Sequence, residues 1–477
     1  MTPALKTLGF MMALPLAFSG CISPNPDNAF NDVRERVSAQ TGHDVRWMRN
    51  DAERGEIDRA VDALLQSNLT VHSAVAIALL NNRSLQAGLE EIGISQAELA
   101  QASRWRNPEF EGFWRLPEHG AKVVNAEYAL AQDVLSLFML PARKSIAARN
   151  LEATKLRIAH EALGLAEEAQ AQFYSVQAAQ QLTNRLALIV QVNEAAAEVA
   201  KRQHEAGNIT DLDLQNQQAA YAHSRLELAR AQAQLRADRE KLNRIMAVWG
   251  PQTAWEIDME LPAPPEHELP IENLERLAVS QRLDLAAART EAANVQSALK
   301  LKKSVRWLPA MSVGVNAEHD VDHAWVVGPS LSLEIPIFDQ GQPELARLAS
   351  EYRRAARRFE ALAVNVRSEV REARDALINA HDVAVYYQKV LLPQRQRILR
   401  ETLLQYNAMQ LGNLALLSAK EREAMAEREA IEALRDYWIA RARLDRVVGG
   451  SLTLTAIPAP SKTATPKPEH THEQHKH

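Results

Sequence analysis

Four histidines stand within the last eight residues of the chain, His470, His472, His475 and His477 in "EHTHEQHKH". Neutral imidazoles suit zinc, copper and nickel, so such a tail can collect these ions weakly, although the spacing defines no closed site. The preceding "PAPSKTATPKP" reads as a disordered linker, and a solvated tail without function fits the same residues. A second histidine pair frames "HDVDH" (His319 to His323), at an expected hairpin turn where aspartates are favoured for turn geometry alone. Asp211 and Asp213 follow Gly207 in "AGNITDLDLQ". They can narrow a passage and attract cations, or dock a partner, or simply cap and start a helix. Cys21 is the only cysteine, which rules out an internal disulfide and makes a zinc or iron-sulfur site improbable. The chain has no P-loop, GxSxG or HExxH sequence, so no catalytic residue, resident cofactor or enzymatic activity is predicted.

The elements that would position these groups are long helices. Glycine (17 residues), aromatics (5%) and the net charge of −5 are all low in a chain of 477 residues, while alanine, leucine, glutamate, arginine and glutamine dominate. A pI near 6.3 gives no excess of basic side chains to neutralise phosphates, so nucleic acid is not an expected partner. The chain also repeats itself. Asn107-Pro108 and Leu308-Pro309 precede two alternating stretches, "QDVLSLFMLPAR" from Gln132 corresponds to "LEIPIFDQGQPE" from Leu333, and "MAVWG" ending at Gly250 corresponds to "DRVVGG" ending at Gly450. Two units follow, 69–250 and 271–450, separated by a Pro-rich linker at 251–270 and followed by the tail at 451–477.

Each unit reads helix, two strands, very long helix, break, long helix. The first helix begins near Leu69 with Thr70 as N-cap, and the second near Ile271. A helix over Ala142 to Ala206 would be roughly 95 Å long at 1.5 Å per residue, more than a compact domain can house. Its counterpart runs from about Glu344 to Met409 and should kink at Pro393. Leu212, Ala219, Ala222, Leu226, Ala229 and Ala233 have the spacing of a coiled-coil seam. Gly207 and Gly412 mark the breaks, and Gly207 aligns with Met409.

The strands are amphipathic. Met311, Val313, Val315 and Ala317 oppose Ser312, Gly314, Asn316 and Glu318; Leu331, Leu333, Ile335 and Ile337 oppose Ser330, Ser332, Glu334 and Pro336; Val124, Ala126, Tyr128 and Leu130 oppose Asn125 and Glu127. This is the apolar-out, polar-in pattern of an outer-membrane barrel strand of about 10 residues. Four strands cannot close a barrel, whereas three chains would give twelve, so a homotrimer is expected.

The N-terminus supplies an address. Lys6 and the apolar run Leu8 to Phe18 form a short export signal over 1–20, and Phe18-Ser19-Gly20-Cys21 resembles the lipobox of bacterial lipoproteins. That resemblance implies a covalent lipid on Cys21, and Ile22, rather than aspartate, implies the outer membrane; 21–68 would be the lipid-anchored segment. An ordinary signal peptide followed by an incidental cysteine is the alternative. From Leu69 to Gly450 the chain is similar to the TolC family of outer-membrane efflux ducts, and "NPEFEG" and "MAVWG" look more like its heavy-metal branch than its drug branch. The resemblance implies a mainly α fold with transmembrane β-strands: a trimeric 12-stranded β-barrel continued by a periplasmic α-helical barrel, contacting an adaptor and an inner-membrane resistance-nodulation-division pump. Family members often carry acids at the second tip; here that tip, "AMQLGNLALLS", is apolar and the acids lie in the first. A drug duct, a lipid-anchored coiled coil without transport, a metal-collecting lipoprotein and a periplasmic metal enzyme are the competing readings.

Overall fold

The computed structural model describes residues 25–116, 124–265, 273–308 and 310–452. The export signal, Cys21, the end of the linker at 266–272 and the histidine tail lie outside the described residues. Two N-terminal helices, α1 (Asp27–Thr41) and α2 (Asp51–Leu65), precede the first unit. That unit comprises α3 (Val71–Asn81), α4 (Arg83–Ala102), β1 (Glu109–Arg115), β2 (Asn125–Asp133), α5 (Leu135–Glu205) and α6 (Asp211–Met246). The second comprises α7 (Leu274–Gln281), α8 (Leu283–Val305), β3 (Met311–His319), β4 (Trp325–Leu333), α9 (Gln342–Tyr386), a π-helical turn (Tyr387–Leu391), α10 (Leu392–Asn407) and α11 (Asn413–Val448).

Backbone conformation makes the internal repeat visible at three points. The α3–α4 break turns at Asn82 (φ −60°, ψ 120°) and the α7–α8 break at Arg282 (φ −65°, ψ 122°). Left-handed residues end α6 at Ala247 (φ 53°) and α11 at Gly449 (φ 102°). Gly449 cannot be replaced freely, because a Cβ there would sit 3.2 Å from the Arg282 backbone nitrogen. The same conformation ends α5 at Gly207 (φ 74°) and α10 at Met409 (φ 58°).

The long helix has 71 residues, about 105 Å at 1.5 Å per residue. It starts at Leu135 rather than near Ala142, because Asp133 caps it: its Oδ1 accepts the Ser136 N–H at 2.9 Å. Pro141 lies inside and removes a single main-chain bond. In the second unit Pro393 occupies the first turn of α10, and the π-helical turn immediately ahead of it widens the ladder where the proline offers no N–H.

The coiled-coil seam of α6 lies elsewhere than the alanine spacing indicates. Leu214, Gln217, Tyr221, Ser224, Leu228, Ala231, Leu235 and Asp238 are buried or half-buried, a heptad pattern of alternating threes and fours. Leu212, Ala219, Leu226 and Ala233 form a second heptad row, which stays exposed in the single chain. β4 also differs from expectation: it runs Trp325–Leu333, and Ile335 and Ile337 fall beyond it, because Pro336 cannot donate to a ladder.

Two continuous cores hold the helices together. One gathers Phe173, Val176, Leu242, Met246, Leu377, Tyr437 and Leu444 from both units. The other packs Val33 and Val37 of α1 and Trp47 against Leu89, Ile158 and Ala162, so the segment after residue 26 is built into the body. Lys155 of α5, only 8% exposed, ties α1 to this core through Asp32 at 2.6 Å.

Candidate functional site

The four strands form one antiparallel sheet in the order β1-β2-β3-β4, and its register sorts side chains onto two faces. Tyr128 pairs with Gly112 and Ala317, Leu130 with Phe110 and Val315, and Val313 with Leu331. Residues directly opposite point the same way. One face therefore carries Phe110, Trp114, Tyr128, Leu130, Val313, Val315, Val327 and Leu331, an apolar surface, with Gln132 and His319 towards its two ends, that the single chain leaves open to solvent. The other carries Glu109, Glu111, Asn125, Glu127, Ser312, Asn316, Glu318, Ser330 and Ser332, interrupted by Phe113 and Val326.

Glu127 lies directly across from Glu318 on the polar face. The two carboxylates are kept together by separate donors: Arg115 donates to Glu127 at 2.9 Å and Asn125 to Glu318 at 2.8 Å. Exposed aromatics bracket the apolar face. Trp114 and Trp325 stand at the hairpin end, while Trp105, Trp307, Phe138 and Phe338 (98% exposed) stand at the end joined to the helices. Aromatic belts at both rims of an apolar band are what a membrane-spanning sheet requires.

The helix breaks at the far end share one design. After α5, the Asn208 N–H reaches back to Gln203 O at 2.8 Å and Gly207 N–H to His204 O at 2.9 Å. After α10, Gln410 N–H reaches Gln405 O and Met409 N–H reaches Tyr406 O, both at 2.9 Å. Both are Schellman closures. Met409 occupies the left-handed position that Gly207 fills in the first tip, and it is 94% exposed. Gly412 instead precedes α11 in extended conformation (φ −78°), where no glycine is needed.

Asp213 serves the helix start: its carboxylate accepts from the Thr210 hydroxyl at 2.7 Å, while the Thr210 side chain accepts the Asp213 N–H at 3.2 Å. This is a capping box. Asp211 stays exposed, 3.9 Å from His204 Nε2. At the "HDVDH" turn, Asp320 and Asp322 accept backbone N–H groups of Val321 and Ala324, and His319 packs edge-on to Trp325. Among the described residues no group of three or more His, Cys, Asp or Glu is placed to hold a metal ion.

Sequence reasoning gave no sign of a charged cluster between the two helical hairpins. A cavity of about 820 Å³ separates α5 and α6 from α11. Around it Arg185 bridges to Glu427 at 3.2 Å, Lys420 to Glu423 at 3.3 Å and Arg428 to Glu227 at 3.5 Å. Burial, with Glu423 alongside, pushes the Glu427 carboxyl up from its ordinary range, and the Arg185 and Lys420 charges only partly oppose this. Arg185–Glu427 and Arg428–Glu227 each join residues more than two hundred positions apart in sequence, so no local pattern announces them; Lys420–Glu423 is a local pair within α11.

No family model matches the chain. In sequence it is 24% identical over 387 residues to the cobalt-zinc-cadmium resistance protein CzcC of Cupriavidus metallidurans, covering 80% of this chain and 90% of that one. In structure it is similar to CusC, described with transmembrane channel formation, at a TM-score of 0.67, with 16% identity and coverage of 80% and 92% of the two chains. The outer-membrane channel OprN gives 0.67, with 16% identity and coverage of 87% and 95%. The Campylobacter jejuni outer-membrane channel CmeC gives 0.66, with 13% identity and coverage of 80% and 85%. The fold is thus that of outer-membrane channels. The resemblance to the TolC family drawn from the tandem repeat is matched by both kinds of comparison, and the sequence similarity is to a heavy-metal resistance protein.

Proposed function

We propose that this chain is the exit duct of a tripartite efflux system, conducting metal cations passively across the outer membrane. The observation that carries the reading is the four-stranded sheet: one apolar face banded by aromatics, one polar face, and two edge strands, each paired on one side only among the described residues. Such edges must be covered, and three copies joined β4 to β1 close twelve strands around a polar lumen. The second heptad row on α6 fits the same assembly, because a helix in a closed ring packs on two neighbours and needs two seams.

Cation conduction agrees with the acids on the polar face, Glu109, Glu111, Glu127 and Glu318, and with the similarity to CzcC. A water-filled tube needs no nucleophile or bound nucleotide; an inner-membrane pump and a periplasmic adaptor would supply substrate and energy, with the helix tips as the closing point. A lipid on Cys21 would anchor each chain, and the histidine tail would add weak zinc, copper or nickel binding. The same duct serving organic toxicants is the second reading, since the neighbours CusC, OprN and CmeC share the fold at low identity.

A growth-inhibition profile of a strain lacking the protein separates the two readings. Sensitivity to zinc, cobalt, cadmium, copper or silver, restored by the intact chain, is expected. Sensitivity confined to dyes and detergents would replace the metal reading with the organic one.

A further inference from the structure

Two histidines that no sequence motif connects meet at the waist of the molecule. His43 lies just after α1 and His72 in the first turn of α3, and their ring centroids are 5.5 Å apart with planes tilted by 44°. Two imidazoles on one zinc, with Zn–N bonds of about 2.0–2.1 Å, place their centroids about 5 Å apart at a tetrahedral angle and about 6 Å apart when collinear. The observed spacing of 5.5 Å falls inside that range.

Both backbones are fixed. The Thr41 hydroxyl donates to Val37 O at 2.7 Å and accepts the His43 N–H at 3.1 Å, so the turn after α1 is tied to its own helix. Val45, two residues on, is buried. His72 is held by the Thr70–Ser73 capping box, with Ala74 and Val75 buried below it. Two cavities, of about 290 Å³ and 440 Å³, are each lined by both rings, which leaves room for water on either side of the pair. Glu167 and Asp445 line the smaller one with Arg446, which bonds Glu167 at 3.1 Å. Asp445 has a cation of its own, Arg441, at 3.9 Å.

We propose that His43 and His72 together form a binding site for a borderline divalent transition-metal cation (zinc, copper or nickel), with water completing its coordination shell. Imidazole is the ligand these ions share, and the open positions allow exchange rather than permanent capture. The proposed ligands are neither the tail histidines nor residues of the sheet, and the proposal stands whether the conducted substrate is a metal or an organic compound. His319 and His323, with centroids 5.8 Å apart, supply an internal control, because His319 belongs to the apolar face of the sheet and packs on Trp325.

The test is equilibrium dialysis of zinc chloride against the untagged full chain in detergent, with His470, His472, His475 and His477 all replaced by alanine. About one zinc per chain should remain bound. H43A and H72Q, each made in that background, should each weaken binding at least tenfold, because even outer-shell partners of a metal cost about 10–100-fold when removed. H319A should leave binding unchanged. His72 is exposed, so H72Q tests the site where H43A fails to fold. Loss of all zinc with the tail histidines, or binding unchanged in either single variant of the pair, would overturn the proposal.

Discussion

Asp284 illustrates how single residues secure the repeat joints. It lies at the α7–α8 break beside Arg282, which is 8% exposed and binds Asp284 at 2.6 Å and Glu369 at 2.5 Å. Burial alone would raise the Asp284 carboxyl. The Arg282 hydrogen bond outweighs it, together with the His160 and Arg282 charges and the Leu285 N–H, and holds it below the usual carboxylate range. A depressed folded value contributes stability above the unfolded pKa of about 3.9, and that contribution is lost as pH falls through the folded value. D284N should cost about 1–3 kcal/mol by leaving guanidinium donors unsatisfied, lowering the denaturant midpoint at neutral pH but not at acid pH. An equal loss at both would mean that packing, not the charge, is what matters. Met409 shows the opposite economy: a non-glycine residue held left-handed at about 1 kcal/mol above glycine, on an exposed tip. Glycine is the usual signal for that conformation, so residue type marked Gly412, whereas the alignment of the two tips set Met409 opposite Gly207, and Met409 is the residue held left-handed. The His43–His72 pair was equally hidden, since nothing local in sequence links a residue after α1 to one in the first turn of α3.

Among the elements, the sheet was more legible than the coiled coil. Strict alternation in "MSVGVNAE" identified both faces of β3 correctly, because period two has a single solution once a run is long enough. β4 slipped toward "EIPI" because that stretch alternates as well; the strand ends at Leu333, ahead of Pro336, while Pro329 sits within β4 opposite Val315. In α6 small residues occupy two heptad rows, so periodicity alone could not say which row faces α5. The strand faces carry a direct prediction. L331R, on the apolar face two residues from the helix-joined end of β4, should lower barrel stability by up to about 2–4 kcal/mol, the cost of basic residues at the bilayer midplane. S332R, one position along on the polar face, should be tolerated. Urea unfolding of the detergent-solubilised protein compares them, and equal loss in both would contradict the facing.

For the whole molecule, the tandem repeat, the strand pairs and the very long helices were all readable, because each depends on local periodicity. Interactions between units were not: the Arg185–Glu427 and Arg428–Glu227 bridges and the cores that merge both repeats exist only once the chain has folded back on itself. What a single chain leaves unfinished is informative in its own right. An apolar sheet face, two edge strands and the row Leu212, Ala219, Leu226 and Ala233 are all left uncovered among the described residues of the single chain. On the proposed function, three copies complete one barrel. Native mass spectrometry of the protein extracted from outer membranes in mild detergent tests it most directly, with L226E alongside. The proposed assembly gives a trimer for the parent chain and dissociated, still helical chains for L226E. A parent protein that remains monomeric in mild detergent, with its sheet intact by circular dichroism, would contradict it.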